Sequence, residues 1–514
     1  MVWWNGNMSD LPHLSMLLSD MGLELPPGLA DVPVTGVAYD SRKVEKGNIF
    51  VAIPGRHADG QDFIAAAVDQ GAGAVVLGQE HGRLSLSQGS VGAVEVEDSR
   101  RALSALAAAF FGHPSREMHV LGVTGTDGKS TTSAMIHAAL QHMGVPAGLL
   151  STVTFGLADR LEPNPTRQTT LEAPELQGWL SRARQEGITH AVVETSSHGL
   201  ALFRVEDICY RTAVYTTITS EHLDFHGTRE AYLAAKAHLA EITLRDRSGR
   251  VVLNADDAYA FPPLLALSQG RSLSYGVSNP VADVCGYGLS PRGKGTALSV
   301  DTPWGAVELS VQLPGRFNVE NALAALTAVA AAGYPLEEVA AGISSFPGVT
   351  GRMQAVDLGQ PFSVVVDYAH TEAALRLVLS SLREATGGKL WVVFGSAGER
   401  DLGKRPAMGH TAALLADMVI LTDEDPRGED SMAILGQIAQ GARKGGAKEG
   451  ETLFLIPDRK EAIWYAISRA KPGDTVLLAG KGHEQSILTA TGPVPWSDVD
   501  VVTEALQESF GRHA

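Results

Sequence analysis

The strongest chemical signal in the chain is the run Thr124–Thr132, which reads TGTDGKSTT and separates a strand pattern from a helix pattern. Successive backbone N–H groups of a glycine-rich turn at a helix N-terminus bind anions. We expect Lys129 to neutralise the β- and γ-phosphates of a nucleotide and the Ser130 hydroxyl to bind Mg²⁺. The full G-x-x-x-x-G-K-S/T spacing is not met, because Val123 stands where the first glycine is expected. An ordinary helix start is therefore the alternative, but the flanking strand and helix favour phosphate binding.

Two further groups of polar residues follow strand patterns in the middle of the chain. Glu194 ends one strand pattern, and His222 lies in the run EHLDFHG after the next. Mg²⁺ prefers oxygen ligands and tolerates an imidazole, so both residues are candidate ligands. A capped strand end and a histidine satisfied within the protein are the alternatives. Lys236, in an apolar helical run, is by itself typical of a lysine whose stem lies along a helix face.

The last third of the chain predicts one edge of a binding site. Four strand patterns there are each followed by a polar or glycine-rich turn: Ser363–Val366, Leu390–Phe394, Met418–Leu421 and Thr475–Ala479. In open parallel sheets, ligands bind beyond the carboxyl ends of the strands. The turns therefore outline one edge of a site.

The remaining patterns predict an α/β protein. The first hundred residues contain the strand patterns Val34–Tyr39, Ile49–Ile53, Ala74–Leu77 and Ala93–Val96. In the middle third, strands alternate with helices, which implies crossovers and a largely parallel sheet. Residues 283–313 differ, because strands broken by Gly and Pro predict an antiparallel patch. Breaks at Gly112–Pro114 and Phe346–Gly348 divide the chain into three domains, at 1–113, 114–347 and 348–514.

Composition limits the classes of partner. The chain has 514 residues, with 41 Lys and Arg against 58 Asp and Glu, and a formal net charge of −17. This balance argues against nucleic acid and anionic membranes as partners. The two cysteines, Cys209 and Cys285, predict no disulfide framework. We expect a cytoplasmic, monomeric protein without a targeting segment or membrane insertion.

Motifs in one order along the chain carry a family resemblance. They are TGTDGKSTT, ETSSHGL, HLDFHG with AAK downstream, PGRFNVENALAAL, GRM, VVVDYAH, GERDLGKRP, DEDPR and GKGHE. In these motifs the chain resembles the Mur ligases, and within them the MurE type, which add the third peptide residue to a UDP-N-acetylmuramoyl-dipeptide. The resemblance implies an α/β UDP-binding N-terminal domain, a central P-loop ATPase domain with a mostly parallel sheet, and a Rossmann-like C-terminal domain that binds the incoming amino acid.

The resemblance also implies roles for individual residues. ATP is expected at Gly125, Thr126, Asp127, Gly128, Lys129, Ser130, Thr131, Asn318, Asn321, Arg352 and Asp367. The UDP-muramoyl peptide is expected at Ser41, Arg56, His57, Ala58, Thr169, Thr170, Ser196 and Arg204. Two Mg²⁺ ions are expected at Ser130, Glu194, His222 and Lys236, with Lys236 carbamylated by CO₂ and therefore anionic. Catalytic roles fall to Lys129, His222 and Lys236. Gln168 and Leu202 depart from the family pattern next to the expected peptide contacts.

The reaction implied is ATP-dependent amide formation in peptidoglycan precursor synthesis, which serves cell shape and division. The substrate carboxylate becomes an acyl phosphate, which the incoming amine then attacks. The amino acid is expected at Arg400, Glu424, Asp425, Pro426, Arg427, Gly480 and Glu484. Ligases for meso-diaminopimelate usually show Asp-Asn-Pro-Arg, whereas this chain has Asp425 in place of the asparagine. An added anion opposes a distal carboxylate, so we expect L-lysine or L-ornithine, with Asp425 or Glu484 taking the side-chain ammonium. meso-Diaminopimelate is the alternative, with Arg427 pairing with its distal carboxylate and Asp425 only capping the turn at Pro426.

Two alternatives to this assignment remain at this stage. Another Mur-type ligase or a folylpolyglutamate synthase shares the fold, but the pair DEDPR and GKGHE argues against both. A P-loop nucleotide-binding regulator that ligates nothing is the alternative from another class. The presence of both His222 and Lys236 argues against it.

Overall fold

The computed structural model describes residues 11–55, 58–79, 92–166, 168–292 and 295–510. Its helices are α1 Leu14–Asp20, α2 Ile64–Asp69, α3 Ser99–Phe110, α4 Lys129–His142, α5 Ala173–Gln185, α6 Ser197–Ala201, α7 Leu223–His226, α8 Arg229–Leu244, α9 Phe261–Ser268, α10 Arg316–Ala331, α11 Leu336–Ser344, α12 Glu372–Ala385, α13 Lys404–Leu415, α14 Ser431–Lys444, α15 Arg459–Ile467 and α16 Asp498–Phe510. No helix in these ranges is long and apolar enough to cross a membrane. Cys209 and Cys285 are not joined in a disulfide.

The strands confirm an α/β fold. They are β1 Gly36–Ala38, β2 Asn48–Ala52, β3 Ala74–Gly78, β4 Gly92–Val96, β5 His119–Thr124, β6 Ala147–Leu150, β7 Thr154–Leu157, β8 Arg160–Pro163, β9 His190–Glu194, β10 Tyr210–Tyr215, β11 Arg250–Asn254, β12 Ser272–Gly276, β13 Val284–Arg292, β14 Gly295–Thr302, β15 Gly305–Val311, β16 Gln354–Ala355, β17 Ser363–Asp367, β18 Leu390–Phe394, β19 Met418–Leu421, β20 Leu453–Leu455, β21 Thr475–Ala479, β22 Ser486–Thr489 and β23 Gly492–Pro495.

The chain divides into two compact units. The first comprises the chain up to Lys129, then Ala139–Tyr275 and Thr327–Ala332; the second comprises Ser130–Ala138, Gly276–Leu326 and Gly333–Ala514. These units cut across the domain limits expected from the sequence, which stay predictions.

A four-stranded parallel sheet opens the first unit, in the order β1-β2-β3-β4. Every residue of β2 and β3 is buried. Such continuous apolar runs are typical of parallel strands covered on both faces. The helix α3 packs on this sheet, and Asp98 caps its N-terminus by accepting the backbone N–H groups of Arg100 and Arg101.

A larger set of strands follows in the first unit, in the order β12-β11-β10-β5-β9-β6-β7-β8. The strands from β12 to β6 are parallel, as the alternation of strands and helices predicts. The hairpin β7–β8 was not predicted, because β8 is fully exposed and lacks an apolar pattern. Since β5 lies between β9 and β10, the glycine-rich run after β5 begins at the middle of the carboxyl edge.

The second unit contains an antiparallel ribbon and a six-stranded sheet. The ribbon β15-β14-β13 confirms the antiparallel patch predicted for residues 283–313. The six-stranded sheet has the order β16-β17-β21-β18-β19-β20. Its neighbours β17, β21, β18 and β19 are the four strands predicted from the sequence, and they are parallel. Their turns therefore meet at one edge, as the sequence predicts.

A buried carboxylate joins α3 to the larger sheet of the first unit. Glu206 accepts hydrogen bonds from Arg101 at 3.0 Å and Arg245 at 2.7 Å, and it lies 2.6 Å from His238 Nε2. Burial alone would raise the pKa of Glu206, but hydrogen bonds from His238 and Arg245 outweigh it and hold the pKa at about 2. The same contact with Glu206 raises the pKa of His238.

Replacing this carboxylate tests the cluster. We expect Glu206→Gln to lower the free energy of unfolding by roughly 2 kcal/mol, because it removes the charge of a buried carboxylate that pairs with three cationic side chains. Because the pKa of His238 is raised in the folded state, its protonated form stabilises the fold fully at pH values below its ordinary pKa. This stabilisation is lost as pH rises through the pKa of the folded state. Denaturant unfolding should therefore show a larger loss at about pH 5.5 than at about pH 8.5. Glu504→Gln, at the exposed pair with Lys460, is the control; equal losses at both pH values would contradict the account.

Candidate active site

The loop between β5 and α4 has a backbone that only glycine tolerates at its first position. Gly125 has φ +154°, and a Cβ there would lie 1.8 Å from Thr216 Oγ1. Gly128, at φ +86°, precedes Lys129, the first residue of α4. The N-terminus of a 14-residue helix therefore follows a tight glycine turn, an arrangement that binds anions.

Residues after β10 hold this loop in place. The Thr126 N–H donates to the Thr217 carbonyl at 2.7 Å, and the Thr216 hydroxyl donates to the Asp127 carbonyl at 2.6 Å. The Thr219 N–H donates to Thr126 Oγ1 at 3.0 Å. These hydrogen bonds fix the loop against the segment that follows β10. Lys129 Nζ donates to the Thr126 carbonyl at 2.7 Å, so the lysine folds over the loop that it follows.

Lys236 projects from α8 to the start of the same loop. Its side chain is 1% exposed, and Nζ donates to the Gly125 carbonyl at 2.6 Å. It also lies 4.7 Å from the centre of the Tyr232 ring. Burial, assisted by the charge of Lys129, lowers the pKa of Lys236 well below its ordinary value. The sequence-based alternative of a lysine lying along an exposed helix face is therefore wrong.

Glu194 lies at the carboxyl end of β9, and in the strand register it is the partner of Val123, two residues before Gly125. Both carboxylate oxygens accept hydrogen bonds from Thr152, one from the N–H at 2.8 Å and one from the hydroxyl at 2.9 Å. Sequence reasoning missed Thr152, which lies in a short segment after β6 without a motif. The contact fixes a buried carboxylate beside the loop.

The residues expected to hold the muramoyl peptide are brought together next to Glu194. The Thr169 hydroxyl lies 2.9 Å from Thr152 Oγ1. The Thr170 hydroxyl lies within 3.1 Å of both the Glu194 carbonyl and Ser196 Oγ. Arg204 donates to the Thr170 carbonyl at 2.9 Å. One hydrogen-bonded group thus connects the carboxylate with the peptide positions.

Arg204 is already paired, a feature that the motifs did not indicate. Its guanidinium lies 2.6 Å from Glu172, and both side chains are largely buried.

Of the residues expected to contact UDP, Ser41 begins a short 3-10 turn capped by Asp40, and the Ala58 carbonyl accepts the Gly55 N–H at 3.0 Å. Arg56 and His57 lie outside the described residues.

The third candidate metal ligand, His222, lies in a histidine cluster. It adopts φ +56° ahead of α7, and its ring lies edge-on to His198 at 4.6 Å. Burial is the main cause that lowers the pKa of both rings, that of His198 to about 4, so both favour the neutral form with a lone pair. Within the described ranges, no group of three or more His, Cys, Asp and Glu side chains is arranged to hold a metal ion. Mg²⁺ at nucleotides is usually held by one or two protein ligands plus phosphate oxygens, so the donors present fit that mode.

Two asparagines on α10 form the expected adenine position. Asn321 accepts the Thr132 hydroxyl and donates to Asn318, each at 3.3 Å. Asn318 donates to the Pro314 carbonyl at 2.7 Å. The two amides are therefore fixed in orientation.

Arg352 and Asp367 lie together in the second unit. Asp367, at the end of β17, accepts the N–H groups of Met353 at 2.7 Å and Ala369 at 2.8 Å. Burial raises the pKa of Asp367. The Arg352 guanidinium lies 4.6 Å from the centre of the Tyr368 ring, and its Nε has no hydrogen-bond partner among the described residues. The arginine is therefore held by a ring and retains hydrogen-bonding capacity for a ligand.

The turns after β19 and β21 contain a buried cation that sequence reasoning missed. Lys481, wholly buried, donates to Asp425 at 2.7 Å and also to Glu484. Asp425 also accepts the Leu488 N–H at 2.8 Å. Lys481 stands inside the motif GKGHE, but its partner Asp425 is 56 residues away, so spacing alone did not indicate the pair.

Glu424 lies beside this pair without a hydrogen-bond partner for one oxygen. Its side chain is buried, which raises its pKa, and Oε2 has no partner within the described part of the chain. A Cβ on Gly480 would lie 3.2 Å from this oxygen, so the turn after β21 passes close to the carboxylate. Arg427 is half-buried and has φ +54°, whereas Arg400 is exposed. These turns therefore offer both anionic and cationic groups.

A glycine-rich loop at the carboxyl edge of a parallel sheet, with a buried carboxylate on the neighbouring strand, defines a nucleotide-binding α/β protein. The chain matches three family models: "Mur ligase family, catalytic domain" at residues 33–111, "Mur ligase middle domain" at 123–329 and "Mur ligase, glutamate ligase domain" at 351–482. The order of these matches is that of the motifs.

Full-length relatives agree with the family models. The UDP-N-acetylmuramyl-tripeptide synthetase of Roseiflexus sp. (strain RS-1) is 44% identical and covers 94% of this chain and 96% of its own length. The UDP-N-acetylmuramoyl-L-alanyl-D-glutamate–2,6-diaminopimelate ligase of Bacillus velezensis (strain DSM 23117 / BGSC 10A6 / LMG 26770 / FZB42) is 38% identical, with 93% and 95% covered. A solved structure of a ligase of the latter name matches with a TM-score of 0.68 at 32% identity, over 98% of this chain and all of that one.

The chain belongs to the Mur ligase family. It is an ATP-dependent ligase with the three domains of that family, and its ATP is used with Mg²⁺.

Proposed function

We propose that the chain joins a diamino acid to UDP-N-acetylmuramoyl-L-alanyl-D-glutamate, with ATP as the source of energy. The observation that carries this proposal is the hydrogen-bonded group linking Glu194, beside the phosphate loop, to Thr170 and Ser196. It supports the proposal because Thr170 and Ser196, which we assign to the peptide, are hydrogen-bonded to the residue beside the loop that we assign to ATP. The names of the relatives from Roseiflexus and Bacillus describe the same class of reaction.

Positioning and charge neutralisation supply most of the chemistry. An oxygen of the substrate carboxylate attacks the γ-phosphorus, ADP leaves, and an acyl phosphate forms. The amine then attacks the acyl carbon, and phosphate leaves as the amide forms and the nitrogen loses its proton. Lys129 and the loop N–H groups offset charge on the phosphates, so that one anion can approach another. Asn318 and Asn321 are assigned to the adenine, and Arg352 and Asp367 are assigned to the same nucleotide.

Two Mg²⁺ ions complete the charge balance in this proposal. Ser130, Glu194, His222 and carbamylated Lys236 would hold them. The ions supply electrostatic stabilisation of the phosphoryl oxygens. Carbamylation needs a neutral amine, whose nitrogen bonds to the carbon of CO₂ and then loses a proton to leave an anion. The lowered pKa of Lys236 supports this step, because burial shifts the amine toward its neutral form.

The UDP-muramoyl peptide is assigned to the residues given by the family pattern. Ser41 and Ala58, with Arg56 and His57 outside the described residues, take the uridine diphosphate. Thr169, Thr170, Ser196 and Arg204 take the peptide. The ion pair with Glu172 orients Arg204 and leaves its Nε, which has no partner among the described residues, for the substrate.

The incoming amino acid is assigned to Arg400 and to the turns containing Glu424, Asp425, Pro426, Arg427, Gly480 and Glu484. The pairing with Lys481 changes the reasoning for Asp425, since this anion is already neutralised. Glu424 is the better partner for a side-chain ammonium, because its buried Oε2 lacks a hydrogen bond. This open acceptor on Glu424 favours an ammonium over a carboxylate. We therefore propose L-lysine or L-ornithine.

Amine-dependent formation of ADP tests both parts of the proposal. With ATP and UDP-N-acetylmuramoyl-L-alanyl-D-glutamate, we expect kcat/KM for L-lysine or L-ornithine to exceed that for meso-diaminopimelate by about tenfold or more. Asp425→Asn removes one anion and should reduce the ratio of kcat/KM for L-lysine or L-ornithine to that for meso-diaminopimelate. Asp500→Asn, at an exposed position of α16, is the control. If no amine stimulates ADP formation, the ligase proposal fails; if meso-diaminopimelate is preferred, only the choice of amine fails.

A further inference from the structure

A wholly buried arginine, Arg405, lies between two of the turns assigned to the amino acid. It is on α13, and its side chain has no solvent exposure. Its guanidinium donates to Glu429 at 2.8 and 3.1 Å, to Gln437 at 2.9 Å and to the Ala397 carbonyl at 2.9 Å. The arginine therefore binds the loop after β18 and the turn after β19 at the same time.

Glu429 extends this connection to Glu399, two residues after Ala397 in the same loop. Besides the pair with Arg405, its Oε1 accepts the backbone N–H of Glu399 in a very short hydrogen bond. Glu399 has φ +55°, in the left-handed region that non-glycine residues rarely adopt. A conformation of this kind persists only when its surroundings stabilise it. The carboxylate of Glu429 supplies that stabilisation immediately before Arg400.

The same two segments also touch through their backbones. The Gly398 N–H donates to the Asp425 carbonyl at 2.8 Å. A Cβ on Gly398 would lie 2.1 Å from the Pro426 carbonyl, so the two segments are in direct contact. The left-handed Arg427 follows at φ +54°. Movement of one segment therefore moves the other.

We propose that the Arg405–Glu429 ion pair is a positioning device that fixes the loop of Arg400 relative to the turn of Arg427, and thereby sets the affinity and selectivity for the incoming amino acid. This inference rests on the proposed function. Arg405 acts through the two segments, because it is buried beneath them. Hydrogen bonds from Arg405 hold the pKa of Glu429 below its ordinary value, so the pair is charged at neutral pH.

Glu429→Ala is the variant that tests the proposal, since Glu429 is partly exposed and its loss leaves no large cavity. With the amine that the wild type uses best, we expect KM for that amine to rise roughly tenfold, as loss of a charge-assisted hydrogen bond allows. KM for ATP and for the UDP-linked substrate should stay within about twofold. Glu429→Gln keeps a neutral acceptor for the Glu399 N–H but loses the ion pair, and should restore part of the affinity. Glu449→Ala, at the exposed pair with Arg443, is the matched control.

The outcomes are separable from failure of the proposed function. If the wild type forms no ADP in response to any amine, the proposed function itself fails. If the wild type is active but Glu429→Ala leaves KM for the amine equal to that of Glu449→Ala, the positioning role is overturned. It is also overturned if all three KM values rise together, or if Glu429→Gln behaves like Glu429→Ala, since a purely structural role gives those results.

Discussion

Lys129→Ala should lower amine-dependent turnover by roughly two to three orders of magnitude, the usual effect of removing a group that stabilises transition-state charge. Lys129 is the first residue of α4, and its Nζ donates to the Thr126 carbonyl of the loop. In this position the ammonium adds to the positive end of the helix, and in the proposed mechanism it offsets the negative charge of the phosphates during transfer. Its loss therefore acts on kcat as well as on binding of ATP. ADP formation with saturating ATP measures the effect.

A matched surface lysine makes this test specific. Lys448 is exposed and pairs with Glu451 at 3.5 Å, so Lys448→Ala removes the same charge from an exposed surface position. Its turnover should equal that of the wild type. The thermal unfolding midpoint of Lys129→Ala should also be unchanged, because only one backbone contact is lost. Ordinary turnover of Lys129→Ala would refute the role assigned to the loop.

The phosphate loop was predictable because its information is local. A strand that ends at Thr124, two glycines and a lysine at the first helical position follow one another without a gap. The strands Leu390–Phe394 and Thr475–Ala479 were predicted with the observed limits for a similar reason. Every residue in them is buried, and polar or glycine-rich turns end them. Continuous burial leaves a continuous apolar run in the sequence.

Contacts between distant segments were not predictable in this way. The hairpin β7–β8 lacks an apolar run, since all of Arg160–Pro163 is exposed. Lys481 and Arg405 both stand in motifs that the sequence analysis singled out, yet neither motif indicates its partner. The partners Asp425 and Glu429 lie 56 and 24 residues away and are brought near by the order of strands in the sheet. The partners of buried charged residues are therefore the part of the site that the structure reveals and the motifs do not.

Replacement of Lys236 should have an effect as large as that of Lys129. We expect Lys236→Met, which fills the buried space without a charge, to lower turnover by roughly two orders of magnitude or more. A second reading of the structure is that Lys236 serves as an ammonium that holds the Gly125 carbonyl, at 2.6 Å. Both readings predict loss of activity in the variant, so activity alone does not separate them.

Dependence on CO₂ separates the two readings. An anionic carbamate forms only from a neutral amine, and burial lowers the pKa of Lys236, which favours that form, whereas the exposed Lys460 lacks such burial. Wild-type protein depleted of CO₂ should therefore lose turnover and regain it with bicarbonate, while Lys236→Met should not respond. Isotope-labelled bicarbonate should give a carbamate carbonyl signal by NMR in the wild type and in Lys460→Met, but not in Lys236→Met. Full turnover without CO₂, together with no labelled carbamate, would show that Lys236 acts as an ammonium. Lys236 would then no longer be a metal ligand in the proposed mechanism.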